Sequence, residues 1–465
     1  MAVILSLPLL TGAAPYPAYN YSWLNREVYP MLPAAVPDGL LIGADLGVGA
    51  FRNPRDFRFG PDGLIYMADT GNHRILVLDD ALNLLRVVDG FSHNGAWETF
   101  SQPEGVFAEA DGTLYVADTQ NERVVVLNAD GSLRLLMDGV VLTGSGLTFR
   151  PQKIGVDNAG RIYTVSSGST EGLIQLTAEG SFVRFFGSNR VRPNPIEVMY
   201  RFFLTRRQRQ AREQFVPTEY SNLHIDEMGF IYATTRNVRS GQVRRLNALG
   251  NDVLRHDGLG LDVYGDLAVT PRNYNRVAQF VSVTADGDGN IYALDNATGK
   301  AFVYDASGAL LFMFGGRGDQ VGLFADPQAI AEKNGTIYVL DAGRSNVTIY
   351  RLSDFGEKIL LANHLYRLGE FDKSLEPWSE VARMSSTYTE AYYYLGWTYF
   401  GRKEYAEAMA YFRLGHGPNG YSRAFGELRD QWLRDHFAWL ALGLAAGLAG
   451  LAVFTKIKRK KTRGG

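Results

Sequence analysis

The sequence predicts a mainly β fold, a six-bladed β-propeller, followed by an α-helical repeat pair and one transmembrane helix. Three observations predict it: a motif recurring every 48 to 49 residues, a switch from period-two to helical patterning after residue 353, and a 19-residue uncharged run near the C-terminus. The chain has 465 residues, of which 46% are hydrophobic and 21% charged, a composition that buries a sizeable core. At about 150 residues per domain this length corresponds to about three units.

Residues 1–14 open with the apolar stretch Ala2 to Leu10 and the small-residue cleavage candidates Thr11 to Ala14, without a positive n-region. They read as a truncated signal peptide. Residues 15–38, rich in proline and carrying Tyr16, Tyr19, Tyr21, Trp23 and Tyr29, read as an extended strap on the propeller.

The propeller itself is expected over 39–353. Residues 51–80 superimpose on 100–129, matching Phe51 with Phe100, Pro54 with Pro103, Tyr66 with Tyr115, Asp69 with Asp118, Asn72 with Asn121 and Arg74 with Arg123, all at an offset of 49. A third copy places Pro151 and Tyr163 a further 48 residues on, and weaker copies carry Tyr232, Tyr292 and Tyr338. Each of the six copies holds Asp-Gly, Asn-Gly or Gly-containing turns that accept the positive φ of tight hairpins, so each is an antiparallel meander. Four-stranded units at this period form propeller blades. The sixth copy is one outer strand short, and residues 40–54 resemble 310–327, so a strand near Leu40 to Ile42 is expected to complete the last blade. The repeated residues read as structural, Asp69 and Asp118 accepting turn N–H groups, Arg74 and Arg123 pairing with carboxylates between blades. A residue needed in several blades is not a unique chemical group.

Tyr163 and Tyr232 are 69 residues apart, and the surplus, within 190–216, predicts a basic amphipathic helix from Ile196 to Phe215 bracketed by Pro193, Pro195 and Pro217. Arg206, Arg207, Arg209 and Arg212 are its candidate docking residues for a partner or for anionic headgroups; the plainer alternative is solvated arginines on a packed helix. Over 354–420, Leu361, Ser374 and Trp378 stand 34 residues before Leu395, Ala408 and Phe412, which predicts a pair of two-helix repeats with Tyr399 in the core. Residues 421–436 continue as a juxtamembrane helix. Residues 437–455, FAWLALGLAAGLAGLAVFT, would span roughly 28 Å of hydrocarbon. The basic tail 456–465 follows, so the positive-inside rule places the C-terminus in the cytoplasm and everything before Phe437 outside the cell membrane. Gly443 and Gly447 form a GxxxG pair of the kind common in membrane helices.

Chemistry is sparse. No cysteine is present, which excludes a disulfide framework, a thiol nucleophile and cysteine-ligated metal sites. The net charge is −2, and without the six basic residues between Lys456 and Arg463 the rest holds 41 basic against 49 acidic residues, which argues against nucleic acid as a partner. The seven histidines form no metal-ligand spacing, and Asp286 to Asn290 reads as a hairpin turn because Ile291 stands where a calcium loop needs glycine. By repeat register, Arg55, Glu104, Gln152, Ser221, Val281 and Gln328 ring the channel mouth, with Asp56, Lys153 and Asn222 next. The candidate ligand-binding set is therefore Arg55, Asp56, Glu104, Gln152, Lys153, Asn222 and Gln328, a mixed-charge ring suited to a hydroxyl-rich ligand or a peptide. No catalytic residue, metal site or cofactor is assigned.

The repeats resemble the NHL family, whose signature is met almost letter for letter by DGLIYMADTGNHRI at Asp62 to Ile75. The resemblance covers 40–352 and is strongest in the first two copies. The helical pair is similar to tetratricopeptide (TPR) repeats at Gly396, Tyr399 and Ala408, although the closing proline is absent at Ser386 and Gly420. The whole arrangement looks like bacterial membrane-anchored NHL-repeat proteins that accompany sugar ABC-transporter components. That resemblance implies an extracytoplasmic binding or scaffold protein, with an envelope or transporter-associated protein as partner and carbohydrate as a ligand class. The alternative it implies is a metal-dependent lactonase or lyase acting at the channel mouth, for which Glu104 with Asn222 is a partial match.

Overall fold

A computed structural model describes residues 14–21, 27–140, 147–187, 219–236, 242–254, 265 and 278–462. The signal-peptide stretch 1–13 and the arginine-rich segment 190–216, with Arg206, Arg207, Arg209 and Arg212, lie outside the described residues. The chain divides into two compact units, a propeller within Val28–Glu357 and a helical unit from Lys358 onward.

Blade 1 shows how the sequence makes each sheet. Its strands Asp56–Phe59, Ile65–Asp69, Arg74–Leu78 and Leu84–Val88 pair antiparallel in chain order, from the channel outward. The second and third strands are buried on both faces, so they read as continuous apolar runs rather than alternating ones. Blades 2, 3 and 5 repeat this four-stranded order from inner strands Gly105–Ala108, Pro151–Val156 and Phe280–Ala285; blade 4, from Tyr220–Ile225, has three strands among the described residues. Blade 6 begins at Pro327–Lys333 and is completed by the N-terminal strand Ala35–Ile42, which pairs with Asn346–Leu352. The ring thus closes with strands from both ends of its own sequence. The closing strand starts five residues before the expected Leu40 and takes Ala35 to Asp38 out of the strap. Pro37 does not stop it, because an outer strand leaves one edge unpaired. Ahead of it, Asn20 is fully buried and donates to Leu311 O at 3.1 Å, and Tyr16 donates its hydroxyl to Ala35 O.

The repeated residues are consumed by the architecture. Asp69 accepts Arg52 N at 2.8 Å, Asn72 Nδ2 at 2.8 Å and Arg74 Nε at 2.9 Å; Asp118 accepts Ser101 N at 2.6 Å, Asn121 Nδ2 at 2.8 Å and Arg123 Nε at 2.8 Å. The arginines therefore pair first within their own blade, and Arg123 alone of the two also reaches a carboxylate in the connection between blades, Glu98 at 2.5 Å. Thr70 and Thr119 carry the tie to the next blade, donating to Pro103 O at 2.6 Å and Pro151 O at 2.7 Å. In blades 1 to 5 the repeated tyrosines bury their rings and give their hydroxyls to the acid of the first hairpin turn, as Tyr163 does to Asp157 and Tyr232 to Asp226, both at 3.1 Å. The segment from Asp286 to Asn290 is such a turn, with Asp286 accepting the backbone N–H of Asp288 and Asn290.

The helical unit comprises α1 (Asp354–Arg367), α2 (Phe371–Met384), α3 (Thr389–Gly401), α4 (Tyr405–Leu414) and α5 (Pro418–Thr462). Trp378 is fully buried and stacks on Tyr394 with centroids 4.7 Å apart, and Phe412, also fully buried, meets Trp397 edge-on at 5.1 Å. Gly396 is required there: a Cβ would come within 2.6 Å of the Phe412 ring. Tyr399 lies at the edge of this core, packed against the Phe412 cluster. The buried stripe of α3 runs through Ala391, Tyr394, Leu395 and Thr398, and Tyr399 flanks it, half-buried and stacked on Tyr411 at 5.0 Å. The stretch expected as a juxtamembrane helix, the apolar run and most of the basic tail form one continuous helix of 45 residues, α5. Within it Pro418–Thr455 is long and apolar enough to cross a membrane, and its most apolar 18 residues are unburied by other parts of the chain.

Candidate functional site

The inner strands of the six blades face the channel, and their first residues define its mouth. In blades 3 to 6 the pairing register slips at Gln152, Ser221, Val281 and Gln328, the residue after the position occupied by proline in blade 3 and blade 6. A bulge at this point bends the strand and re-aims the side chain, so the local irregularity repeats where the mouth ring was expected.

The structure joins most of that ring into pairs. Arg55 Nη1 donates to Gln328 Oε1 at 2.8 Å, and Gln328 Nε2 donates to Asp326 at 2.7 Å. Gln152 Nε2 donates to Glu104 Oε2 at 3.2 Å. One layer deeper, Lys153 and Asp56 are both buried and their charged atoms lie 3.2 Å apart. All three ammonium protons are placed, on Asp56, on Arg55 O at 2.6 Å and on Glu104 O at 2.9 Å. Gly105 permits the approach, since a Cβ there would fall 2.9 Å from Lys153 Cα. Burial alone would raise the Asp56 pKa, but Lys153, Arg58 and the Val106 N–H together hold it below the usual carboxylate value. Burial lowers the Lys153 pKa, with Asp56 opposing.

Arg58, which the sequence reading missed, closes the next layer. Its Nε lies 3.4 Å from Asp56, Nη2 donates to Leu223 O at 2.6 Å and Nη1 to Ile154 O at 3.3 Å, so one guanidinium ties blade 1 to blades 3 and 4. It stands two positions after Asp56 on the same strand, and that spacing alone puts both on one face. Beside it His224 has its pKa pushed down to about 3, by burial and then by the Arg58 charge, and is neutral at physiological pH.

Asn222 is the exception. It is 1% exposed, and neither Nδ2 nor Oδ1 has a hydrogen-bond partner among the described residues. Ser221 is satisfied, donating to Phe280 O at 2.6 Å with Thr234 Oγ1 at 2.9 Å. Glu104 and Asn222 are thus not joined to each other by a hydrogen bond. Among the described residues no three His, Asp or Glu side chains converge as metal ligands. The arrangement can bind through hydrogen bonds and charge; it brings no base to the Ser221 hydroxyl among the described residues.

At the other end of the channel, the Glu332 pKa is pushed up to about 7, by burial first and then by Asp286 and Asp288, against the Gly335 N–H bond at 2.7 Å. Asp286 is itself raised by burial. A carboxyl whose pKa is raised on folding contributes stability at low pH and loses it as pH climbs from the unfolded value of 4.5 toward 7. Replacing Glu332 with glutamine is therefore expected to raise the urea midpoint at pH 8 relative to the parent, with a smaller gain at pH 5. Equal shifts at both pH values would refute the assignment. His224 acts in the opposite sense, losing stability as pH falls below 6.5, and cancels in the comparison.

An NHL repeat matches residues 51–78. No curated protein matches the chain. Among solved structures the chain is similar to a streptogramin B lyase at 11% identity, covering 65% of this chain and 95% of that one with a TM-score of 0.39. It is also similar to a catalytically inactive virginiamycin B lyase from Staphylococcus aureus with quinupristin, at 12% identity over 71% of this chain and 86% of that one, TM-score 0.42. A third is the extracellular domain of a protein described as a hybrid two-component system from B. thetaiotaomicron, at 12% identity over 72% of this chain and 40% of that one, TM-score 0.39.

Proposed function

We propose that the protein is a membrane-anchored binding protein whose propeller, and the helical unit as a diverged TPR pair, hold an envelope or transport protein outside the cytoplasm. The observation that carries this reading is the use of the channel's charges. Asp56, Lys153 and Arg58 are spent on one another and on the backbone of four blades, which rigidifies the ring and leaves recognition to its mouth face. That face also carries a hairpin, Gly90–His93 with Ala96–Thr99, inserted between blades 1 and 2. Glu98 braces it against Arg123, and Trp97, opposite Ser92 one pair back from the Asn94-Gly95 turn, is 63% exposed, the kind of large aromatic that dominates binding energy at protein interfaces. The basic tail after the apolar helix supports a cytoplasmic C-terminus. The lactonase or lyase reading has less support, since Glu104 is engaged by Gln152 and no acidic set surrounds it among the described residues.

Cross-linking in intact membranes followed by purification of the full chain tests this. One partner is expected in stoichiometric yield, falling severalfold for Trp97→Ala with the fold retained. Equal recovery from a chain lacking the propeller would end the proposal.

A further inference from the structure

The chain holds three Asn-Gly pairs, Asn94–Gly95, Asn334–Gly335 and Asn419–Gly420. In such a pair the glycine amide nitrogen can close on the asparagine Cγ, because no side chain hinders its approach. The fold treats the three differently. Gly335 N donates to Glu332 Oε1 at 2.7 Å, which holds that nitrogen away from the closure. Asn419 lies in the first turn of α5, where Gly420 is pressed so close to Phe412 that a Cβ would fall 2.4 Å from the ring. A helical backbone keeps its nitrogen turned from Cγ.

Asn94 and Gly95 are instead the two exposed residues of the turn joining Gly90–His93 to Ala96–Thr99, with φ of 50° and 80° as a two-residue hairpin requires. Gly95 N–H donates no hydrogen bond among the described residues. The attack needs only the tip of this turn to open, and loop tips open at low cost. The neighbouring side chains supply the proton chemistry. Glu98 Oε1 accepts His93 Nδ1–H at 2.8 Å, while Arg123 holds the other Glu98 oxygen at 2.5 Å. This fixes the imidazole with Nε2 as its acceptor, and Asn94 Nδ2, the nitrogen that must leave, donates to it at 3.2 Å. A carboxylate, an imidazole and the amide to be cleaved thus follow one another in a single run of contacts, the order that general acid–base catalysis uses.

We propose that Asn94 is a self-modification site, converting to aspartate and isoaspartate with His93 as the proton carrier. The Gly95 nitrogen gives its proton to His93 Nε2 and attacks Asn94 Cγ, forming the C–N bond of a tetrahedral intermediate whose charge sits on the amide oxygen. Collapse breaks Cγ–Nδ2 as the imidazolium, stabilised by Glu98, returns the proton to Nδ2, and ammonia leaves. Water then opens the succinimide at either carbonyl, one giving aspartate and the other isoaspartate. Nothing is oxidised or reduced, and His93 ends as it began. The product places a negative charge beside Glu98, and isoaspartate inserts a main-chain methylene into the turn that sets Ser92 opposite Trp97. Any effect on partner capture rests on the binding-protein reading; the chemistry at Asn94 does not.

The test is peptide mapping by mass spectrometry of the full chain in detergent micelles, aged at neutral pH in heavy-oxygen water. Asn94 is expected to take up one labelled oxygen at least about tenfold faster than Asn334 or Asn419, with isoaspartate among its products. In urea this advantage should disappear, since only the folded hairpin brings His93 and Glu98 to the amide. His93→Gln, which keeps a hydrogen-bond partner but carries no proton, should slow Asn94 by about tenfold or more at an unchanged melting temperature. Asn94 ageing no faster in the folded chain than in urea would overturn the proposal, and that comparison needs no variant. So would equal rates for the parent and His93→Gln.

Discussion

Replacing Lys153 with methionine is expected to destabilise the propeller by about 3 to 5 kcal/mol, because it strands the Asp56 carboxylate in the channel wall. Arg58 stays 3.4 Å away and keeps the loss toward the lower end of that range. Two further carbonyls, Arg55 O and Glu104 O, also lose the donor that ties blade 3 to blades 1 and 2. The signature is its pH dependence: the deficit should shrink as acid neutralises Asp56, whereas the loss of a merely space-filling side chain would be independent of pH. Adding Asp56→Asn should recover most of the deficit, since the amide oxygen still accepts Val106 N–H, at 3.1 Å in the parent. Urea unfolding followed by tryptophan fluorescence measures all three chains. A single variant within about 1 kcal/mol of the parent would show that the pair contributes nothing.

The second large effect is expected at the ring closure. Leu41 is 4% exposed and packs with Phe51, Leu340 and Val347 where blade 6 meets blade 1, whereas Ile42 points outward at 38% exposure. Leu41→Asp should cost more than about 4 kcal/mol by burying an unpaired charge at the one seam not continuous in sequence. Ile42→Asp should stay within about 0.5 kcal/mol. Thermal unfolding by circular dichroism separates them, and equal losses would mean that the strand does not alternate as the structure has it.

How much was legible depended on repetition. The tyrosine-to-turn-acid bond of Tyr163 with Asp157 recurs from blade to blade, and the set Asp69, Asn72 and Arg74 returns in blade 2 as Asp118, Asn121 and Arg123, so the blades and the structural role of these residues could be read from spacing. The closing strand was placed too late because Pro37 obscures its first residues, and only pairing to Tyr350 reveals them. Tyr399 packs against the Phe412 cluster only from its edge: a 34-residue match fixes a position in the repeat but not which side of a helix is most covered, and the stripe from Ala391 to Thr398 marks that side. At the mouth the ring of residues was legible and its bonding was not. Asp56 and Lys153 come from different blades, 97 residues apart, and nothing in either segment specifies the other. Arg58 could have been found from the two-residue period.

Helix α5 runs unbroken from Pro418 to Thr462, about 67 Å at 1.5 Å per residue. Were Phe437 to Thr455 to cross a bilayer, whose hydrocarbon is about 30 Å thick, roughly 28 Å of the rod, Pro418 to His436, would stand clear of it. No hinge separates this shaft from the span, and its first turns are clamped to α4, with Ala424 packed in the Phe412 cluster. A tilt of about 20°, ordinary for a membrane helix, would therefore sweep the clamped end sideways by about 10 Å. In such a bilayer its thickness, or a neighbour leaning on the span, would become a lever on where the helical unit stands above the lipid.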